Sequence, residues 1–403
     1  MSFKKTIGKL HLWLGLSTGL IVFIVSITGA MYVFKEEIQG IIRKEYIYHH
    51  EPNIAQKHTL PLRKIEALVN QQTHERYPLH WVEIPLNKAQ SYKFVYHESN
   101  KNGWNYFDRL VIYKTAYVNP FTGKVLAVFD EKNGFFNIVK FIHWSLLLRN
   151  DWGKYIVGIP VLIFIISLIS GIILWWPKNK SAAKQRFWLS WKNVKNWRRK
   201  NYDLHNVLGF YSSFFALIIA ITGIFYSFFA VKALIYFTFS GGQTKYPDFS
   251  NYKTSAPIEQ RSAQTIDRIS QQVEQRFPHA YGYRIDLGQA HLDDHKHENL
   301  SVFVKELSYS YHKNHNLIFD ENSGKLLHVH KHQDKNLGEK AIAANYDVHV
   351  GSIFGIWSKI LAFVVSLICA SLPVSGFLIW WGRRKKKNVT SSKKQILTET
   401  VTH

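Results

Sequence analysis

Sulfur is almost missing from this 403-residue chain, which has one cysteine, Cys369, and two methionines, Met1 and Met31. One thiol excludes an intrachain disulfide, a cysteine-based zinc site, an iron–sulfur cluster and covalent C-x-x-C-H haem attachment. Acidic residues are also scarce: 28 against 51 Lys and Arg, a formal net charge of +23. Taken alone, that excess suggests a nucleic-acid binder. A chain that is 46% hydrophobic and 15% aromatic has ample material for a core, so overall disorder is excluded.

The charge is segregated. Four long apolar stretches lie at about 10–34, 153–176, 206–231 and 353–381, and none contains an acidic residue. The first runs 25 residues without a charge. At 1.5 Å per residue this covers a hydrocarbon layer of ~30 Å with some tilt. The N-terminus to residue 10, the 177–204 connection and the tail after Trp381 together hold nineteen Lys and Arg and two acids, which is seventeen of the twenty-three net charges. Basic residues at span ends mark the cytoplasmic side. The expected topology is N-in and C-in, with residues ~35–140 and ~232–345 outside, and charge confined to span flanks excludes nucleic acid as a partner. The first stretch is too long for a signal-peptide core and lacks a clear A-x-A site, so it reads as an uncleaved span. Trp175, Trp176, Trp380 and Trp381 would close the second and fourth spans at the cytoplasmic interface.

The two halves repeat each other. His11 is followed by Thr28-Gly29 at offsets of 17 and 18, and His205 by Thr222-Gly223 at the same offsets. His143 precedes Ser170-Gly171 and Trp175-Trp176; His349 precedes Ser375-Gly376 and Trp380-Trp381, one residue closer in each case. Residues 62–80 and 263–279 read as amphipathic helices ending before Pro78 and Pro278. Strand-like alternation and a hairpin follow in each half, with Gly123 and Gly324 suited to the positive-φ turn position. The expectation is a membrane α-helical protein of four transmembrane helices, with two small α+β extracytoplasmic lobes and an internal duplication. Its segments are 1–34, the outer lobe 35–142, 143–176 with an interfacial lead-in, the basic loop 177–204, 205–231, the second lobe 232–348, 349–381 and the basic tail 382–403.

Four histidines stand out in this repeat. His11 and His205 fall at the cytoplasmic ends of the first and third spans, and His143 and His349 at the outer ends of the second and fourth. Under pseudo-twofold symmetry each pair meets across the axis. Two imidazoles facing one another in an apolar slot suit axial ligation of a b-type haem, so two bis-histidine haem b groups are expected. Gly15 and Gly209, one turn from their histidines, would allow a close approach. Arg149, Lys154, Arg198 and Arg199 are candidates to neutralise haem propionates. Zinc or copper transport is the rival, but it would favour acidic residues inside the spans. The second lobe has nine histidines between 279 and 332. Among them His291, His295 and His297 are candidates for a weak metal site, and the alternating His328, His330 and His332 share a strand face.

The chain resembles the PepSY-associated transmembrane family. The residues that carry the likeness are His11-Leu-Trp-Leu-Gly15 with Thr28-Gly29, His143-Trp-Ser-Leu-Leu-Leu148 with Gly171-Ile-Ile-Leu-Trp-Trp-Pro177, Leu204-His205-Asn-Val-Leu-Gly209, and His349-Val-Gly-Ser-Ile-Phe-Gly355 with Gly376-Phe-Leu-Ile-Trp-Trp-Gly-Arg-Arg384. The two hairpins resemble PepSY lobes. The resemblance implies a bacterial inner-membrane protein of iron uptake, similar to ferric-siderophore reductases carrying two b haems, with the four histidines as ligands. A ferric siderophore or other iron chelate is then the expected acceptor. No G-x-G-x-x-G or flavin module follows Trp381, so a separate electron donor, a flavoprotein or a quinol, is expected. The alternative is a membrane-anchored PepSY sensor or assembly protein that binds a periplasmic partner and carries no haem.

Overall fold

The computed structural model describes residues 2–177, 194–247, 265–287 and 299–399, with short pieces at 183, 186–189, 191 and 252, and side chains up to 384. Four helices are long and apolar enough to cross a membrane: Phe3–Val33, Asn150–Trp175, Trp197–Ser227 and Ile356–Arg384, with window hydropathies of 2.0 to 2.8. The low moment of such helices follows from composition, since lipid replaces water on the outer face and no polar stripe is required.

The third helix starts a turn or two inside the basic connection. Asn196 caps it by accepting from the Arg198 amide at 3.0 Å, so Arg198 and Arg199 lie in its first turn. It stops at Phe228, whose extended backbone turns the chain into a separate apolar helix, Phe229–Phe239. At the end of the second span, Arg186 donates to the carbonyls of Leu174, Trp175 and Trp176, and Lys4 donates to Trp176 O at 3.0 Å. Cations there satisfy carbonyls that the helix leaves without partners. Of the tryptophans expected at this interface, Trp175 is instead buried, its ring stacked on Phe210 with centroids 3.5 Å apart, while Trp176 is exposed.

Outside the spans, the two α+β lobes join in one continuous sheet. Residues 79–130 give β1 (Leu79–Pro85), β2 (Tyr92–Ser99), β3 (Leu110–Val118) and β4 (Val125–Asp130). Residues 282–330 give β5 (Gly282–Asp286), β6 (Asn299–Lys305), β7 (Asn314–Asp320) and β8 (Leu326–His330). The order is β4-β3-β2-β1-β5-β6-β7-β8, antiparallel throughout. The seam is β1 against β5, from Trp81 opposite Asp286 to Pro85 opposite Gly282. Each set of four is a simple meander whose outer hairpin turns at Gly123 (φ 71°) and Gly324 (φ 67°). Asn119 and Asp320 begin these turns, their side-chain oxygens accepting amides two and three residues on.

Two helices, Leu62–Thr73 and Thr265–Arg276, cover one face of the sheet. Ile65, Val69, Ile269 and Val273 interlock there with Val82, Phe94, Ile285, Val302 and Phe319 in one core that spans the seam. The second helix ends at Arg276, just before Phe277-Pro278 as its proline signal suggests; the first ends earlier than its own, at His74, which takes a left-handed conformation (φ 52°). Asp267 of the second helix accepts from the Leu62 amide, so the second half caps the first half's helix.

The last part of each half is a lead-in helix followed by a turn and a span. Phe135–Ser145 precedes the second span, with Leu146 and Leu147 at positive φ, and Leu337–Val350 precedes the fourth, with Gly351 at φ 79°. These breaks let His143 and His349 sit on short helices that lie against other spans.

Candidate functional site

The sequence pairs His11 with His205 and His143 with His349, and the structure brings both pairs together. The His11 and His205 rings have centroids 6.4 Å apart, and the His143 and His349 rings 5.9 Å apart. Along the first span, sixteen or so residues separate the two sites, roughly 25 Å at 1.5 Å per residue.

Each histidine is held in the same way. His11 Nδ1 lies 3.1 Å from Ser167 O and 3.0 Å from Ser170 Oγ. His143 Nδ1 lies 2.8 Å from Val25 O, with Thr28 Oγ1 at 3.4 Å. His349 Nδ1 lies 3.0 Å from Ile219 O, with Thr222 Oγ1 at 3.1 Å. His205 Nδ1 lies 2.8 Å from Ser375 Oγ. A carbonyl oxygen only accepts, so Nδ1 carries the proton in the first three. The four hydroxyls agree, because each gives its own hydrogen to a carbonyl of its helix: Ser170 to Ser167, Thr28 to Ile24, Thr222 to Ile218 and Ser375 to Ser371. Each hydroxyl oxygen is then left to accept. With Nδ1–H fixed, the lone pair is on Nε2, the tautomer that can bind a metal.

The residue after each hydroxyl is glycine, and it touches the ring. A Cβ on Gly29 would fall 3.1 Å from His143 Cε1, and one on Gly223 3.1 Å from His349 Cε1. At Gly171 the distance to His11 Cε1 would be 3.3 Å, and at Gly376 the distance to His205 Cε1 would be 3.4 Å. The Ser/Thr-Gly dipeptides that recur in the sequence are therefore the seats of the four imidazoles. Sequence reading found their spacing and missed their role, which depends on which spans pack together. Gly15 has open space around it, and Gly209 faces Leu372.

A cavity of about 220 Å³ opens beside the His143/His349 pair, at the sheet end of the bundle and called the outer pair below. One water needs only ~10–15 Å³ on that measure, so a sizeable ligand fits. Its walls are mainly apolar and include Val25, Gly29, Phe164, Ala220, Tyr226 and Cys369. Lys140 also lines it, a residue that sequence reading did not select. The signal was legible: Lys140 is the one lysine in a mainly apolar helix, three residues before His143 and on its face. Burial, with Lys35 nearby, pushes its pKa down to about 8.

The basic residues expected near propionates lie at the starts of the second and third spans. Arg149 starts the second span and donates to Asp151 at 2.6 Å, and Lys154 sits over the Tyr155 ring. Arg199 pairs with Asp203 at 3.0 Å, and Arg198 is exposed near Gly382. His291, His295 and His297 lie outside the described residues. His328 and His330 lie on β8, but the strand ends at His330 and His332 opens a short helical turn, His332–Asp334, so the three do not share one strand face as expected; His330 Nε2 lies 2.7 Å from Glu339. Among the described residues, no group of three His, Cys, Asp or Glu side chains could hold a metal ion.

Four apolar spans topped by a helix-covered antiparallel sheet define a multi-pass membrane protein with a large domain outside the bilayer. The pattern of the PepSY-associated TM region matches residues 9–383, nearly the whole chain, and the protein belongs to that family. No curated protein matches it.

Proposed function

We propose that this is a bacterial inner-membrane electron-transfer protein that holds two haem b groups between histidine pairs and reduces a ferric siderophore, or another iron chelate, in the periplasm. The observation that carries this reading is the matched pair of imidazole couples, one near each end of the bundle, each with Nδ1 satisfied. With ring centres 6.4 and 5.9 Å apart, His11 with His205 and His143 with His349 would each hold one haem, which would supply one-electron chemistry there. The cavity at the outer pair supports the reading at that site.

The chain's own part is to position and insulate. Carbonyls and hydroxyls aim the four Nε2 atoms, the glycines let the rings seat, and apolar spans keep water out. A separate flavoprotein or quinol would deliver electrons at the basic, cytoplasmic face. The concentration of Lys and Arg at span flanks supports the N-in, C-in orientation. Reduction would release iron outside because hard oxygen donors hold Fe(III) better than Fe(II). The equivalence of the two halves, down to each Ser/Thr-Gly seat, supports their origin by duplication.

The test is the optical spectrum and pyridine haemochrome of the purified protein and its His11→Ala, His205→Ala, His143→Ala and His349→Ala variants. A reducible b-type band in the wild type, lost by about half in each variant, is expected. Its absence from the wild type refutes the reading and leaves a membrane-anchored sensor or assembly protein, in which His143→Ala and His349→Ala are silent.

A further inference from the structure

Among the described residues, Lys140 is a cation with no anion in ion-pair contact. It lines the cavity that holds His143 and His349. Among the described residues, no carboxylate lies within ion-pair distance of it; its nearest described partner is the Phe141 ring, 4.8 Å from Nζ. The nearest acid in its field is Glu131, which also bears on the Lys140 charge. Both Glu131 oxygens, however, are taken by Arg43, through Nη1 and through Nη2 at 3.2 Å. The other charge nearby, Lys35, repels it. A half-buried ammonium of this kind is costly unless something compensates it.

We infer that Lys140 is the counter-ion for a carboxylate on the ligand of the outer site, and that it fixes the direction in which that ligand lies. This rests on the haem reading above, because haem b carries its two carboxylates on one edge. The cavity is uneven in the required way. Tyr346 takes the position three residues before His349, so the charge is on the side of the first half only. A carboxylate-bearing edge turned toward Lys140 also points toward the sheet, where the cavity wall includes Tyr32 and Tyr346, and away from the bilayer interior. Arg149 and Lys154 line no part of this cavity.

The experiment uses the full chain in detergent, stripped of ligand and titrated with haemin, as wild type, Lys140→Met and Lys140→Arg. Potentiometry resolves the two sites, and melting of the stripped protein reports on folding without ligand. Lys140→Met should weaken haemin binding at one site by tenfold or more and move that site's potential to a lower value. The other site should be unmoved, and the stripped protein should melt no lower than wild type. Lys140→Arg should restore binding. Wild-type uptake of two haemins with an unchanged Lys140→Met variant overturns the assignment alone. So does a Lys140→Met variant that melts lower when stripped and is not rescued by arginine, because that marks a structural role. Wild type that takes up no haemin overturns the haem reading, and this assignment with it.

Discussion

Replacing Gly29 by alanine puts a methyl 3.1 Å from His143 Cε1, closer than ordinary van der Waals contact. The ring cannot easily yield, because Nδ1 is tied to Val25 O at 2.8 Å and the helix that carries it is packed. In a free helix interior, Ala would be better than Gly by ~1 kcal/mol. Here overpacking costs ~1–3 kcal/mol. The ligand-free protein should therefore lose only ~0–2 kcal/mol. The larger effect is on geometry: the imidazole retreats by a few tenths of an ångström, and its Nδ1 bond, worth ~0.5–1.5 kcal/mol, weakens. A loss of ~1–3 kcal/mol in affinity at the outer site is expected, roughly 5–150-fold. Haemin titration followed by its Soret absorbance measures this, with the inner site as internal reference. Gly8→Ala is the control, because its Cβ would meet Leu174 at an ordinary 3.8 Å. Unchanged affinity in Gly29→Ala, or an equal loss in Gly8→Ala, would refute the seat.

Two further perturbations probe the outer domain. Arg43 and Glu131 pair with side chains only 12% and 11% exposed, so Arg43→Met strands a buried carboxylate and should cost ~3–5 kcal/mol in a denaturation midpoint. Removing Glu131 as well should recover most of it, and an additive double variant would contradict the pairing. His97, stacked against His80 on β2, has its pKa pushed down to about 4 by burial and then by the nearby His80 and Lys140 charges. Between pH 6.5 and 4 the unfolded chain binds a proton that the folded chain refuses, so stability falls as pH drops through that window and levels below it. One unit is ~1.4 kcal/mol, so the group accounts for up to about 3 kcal/mol, and His97→Gln should flatten the fall in Tm over that range. An identical slope in the variant would rule His97 out.

Much of this architecture is legible along the chain, since a span is set by composition and a hairpin by local turn chemistry. Residues 153–176 and the helix Asn150–Trp175 nearly coincide, and Gly123 and Gly324 turn where their sequence suggests. Long-range choices are not legible. Strand alternation indicates that β1 and β5 exist, but nothing local says that they pair with each other across some two hundred residues. The same holds for the seats: the offsets of Thr28-Gly29 and Ser170-Gly171 can be counted, while the partner ring is chosen by helix packing. Trp175 shows the reverse error, where an interfacial pattern hides a stacking residue, because Phe210 comes from another span.

The seam between β1 and β5 has a mechanical consequence. Transporters assembled from two related halves work by tilting one half against the other. In this protein the two halves are stitched by strand pairing, and Lys359 of the fourth span adds a clasp to Glu37 just beyond the first, with N–O distances of 2.8 and 3.0 Å. Opening the outer end would mean tearing a sheet through its middle. The bundle is a pillar rather than a hinge.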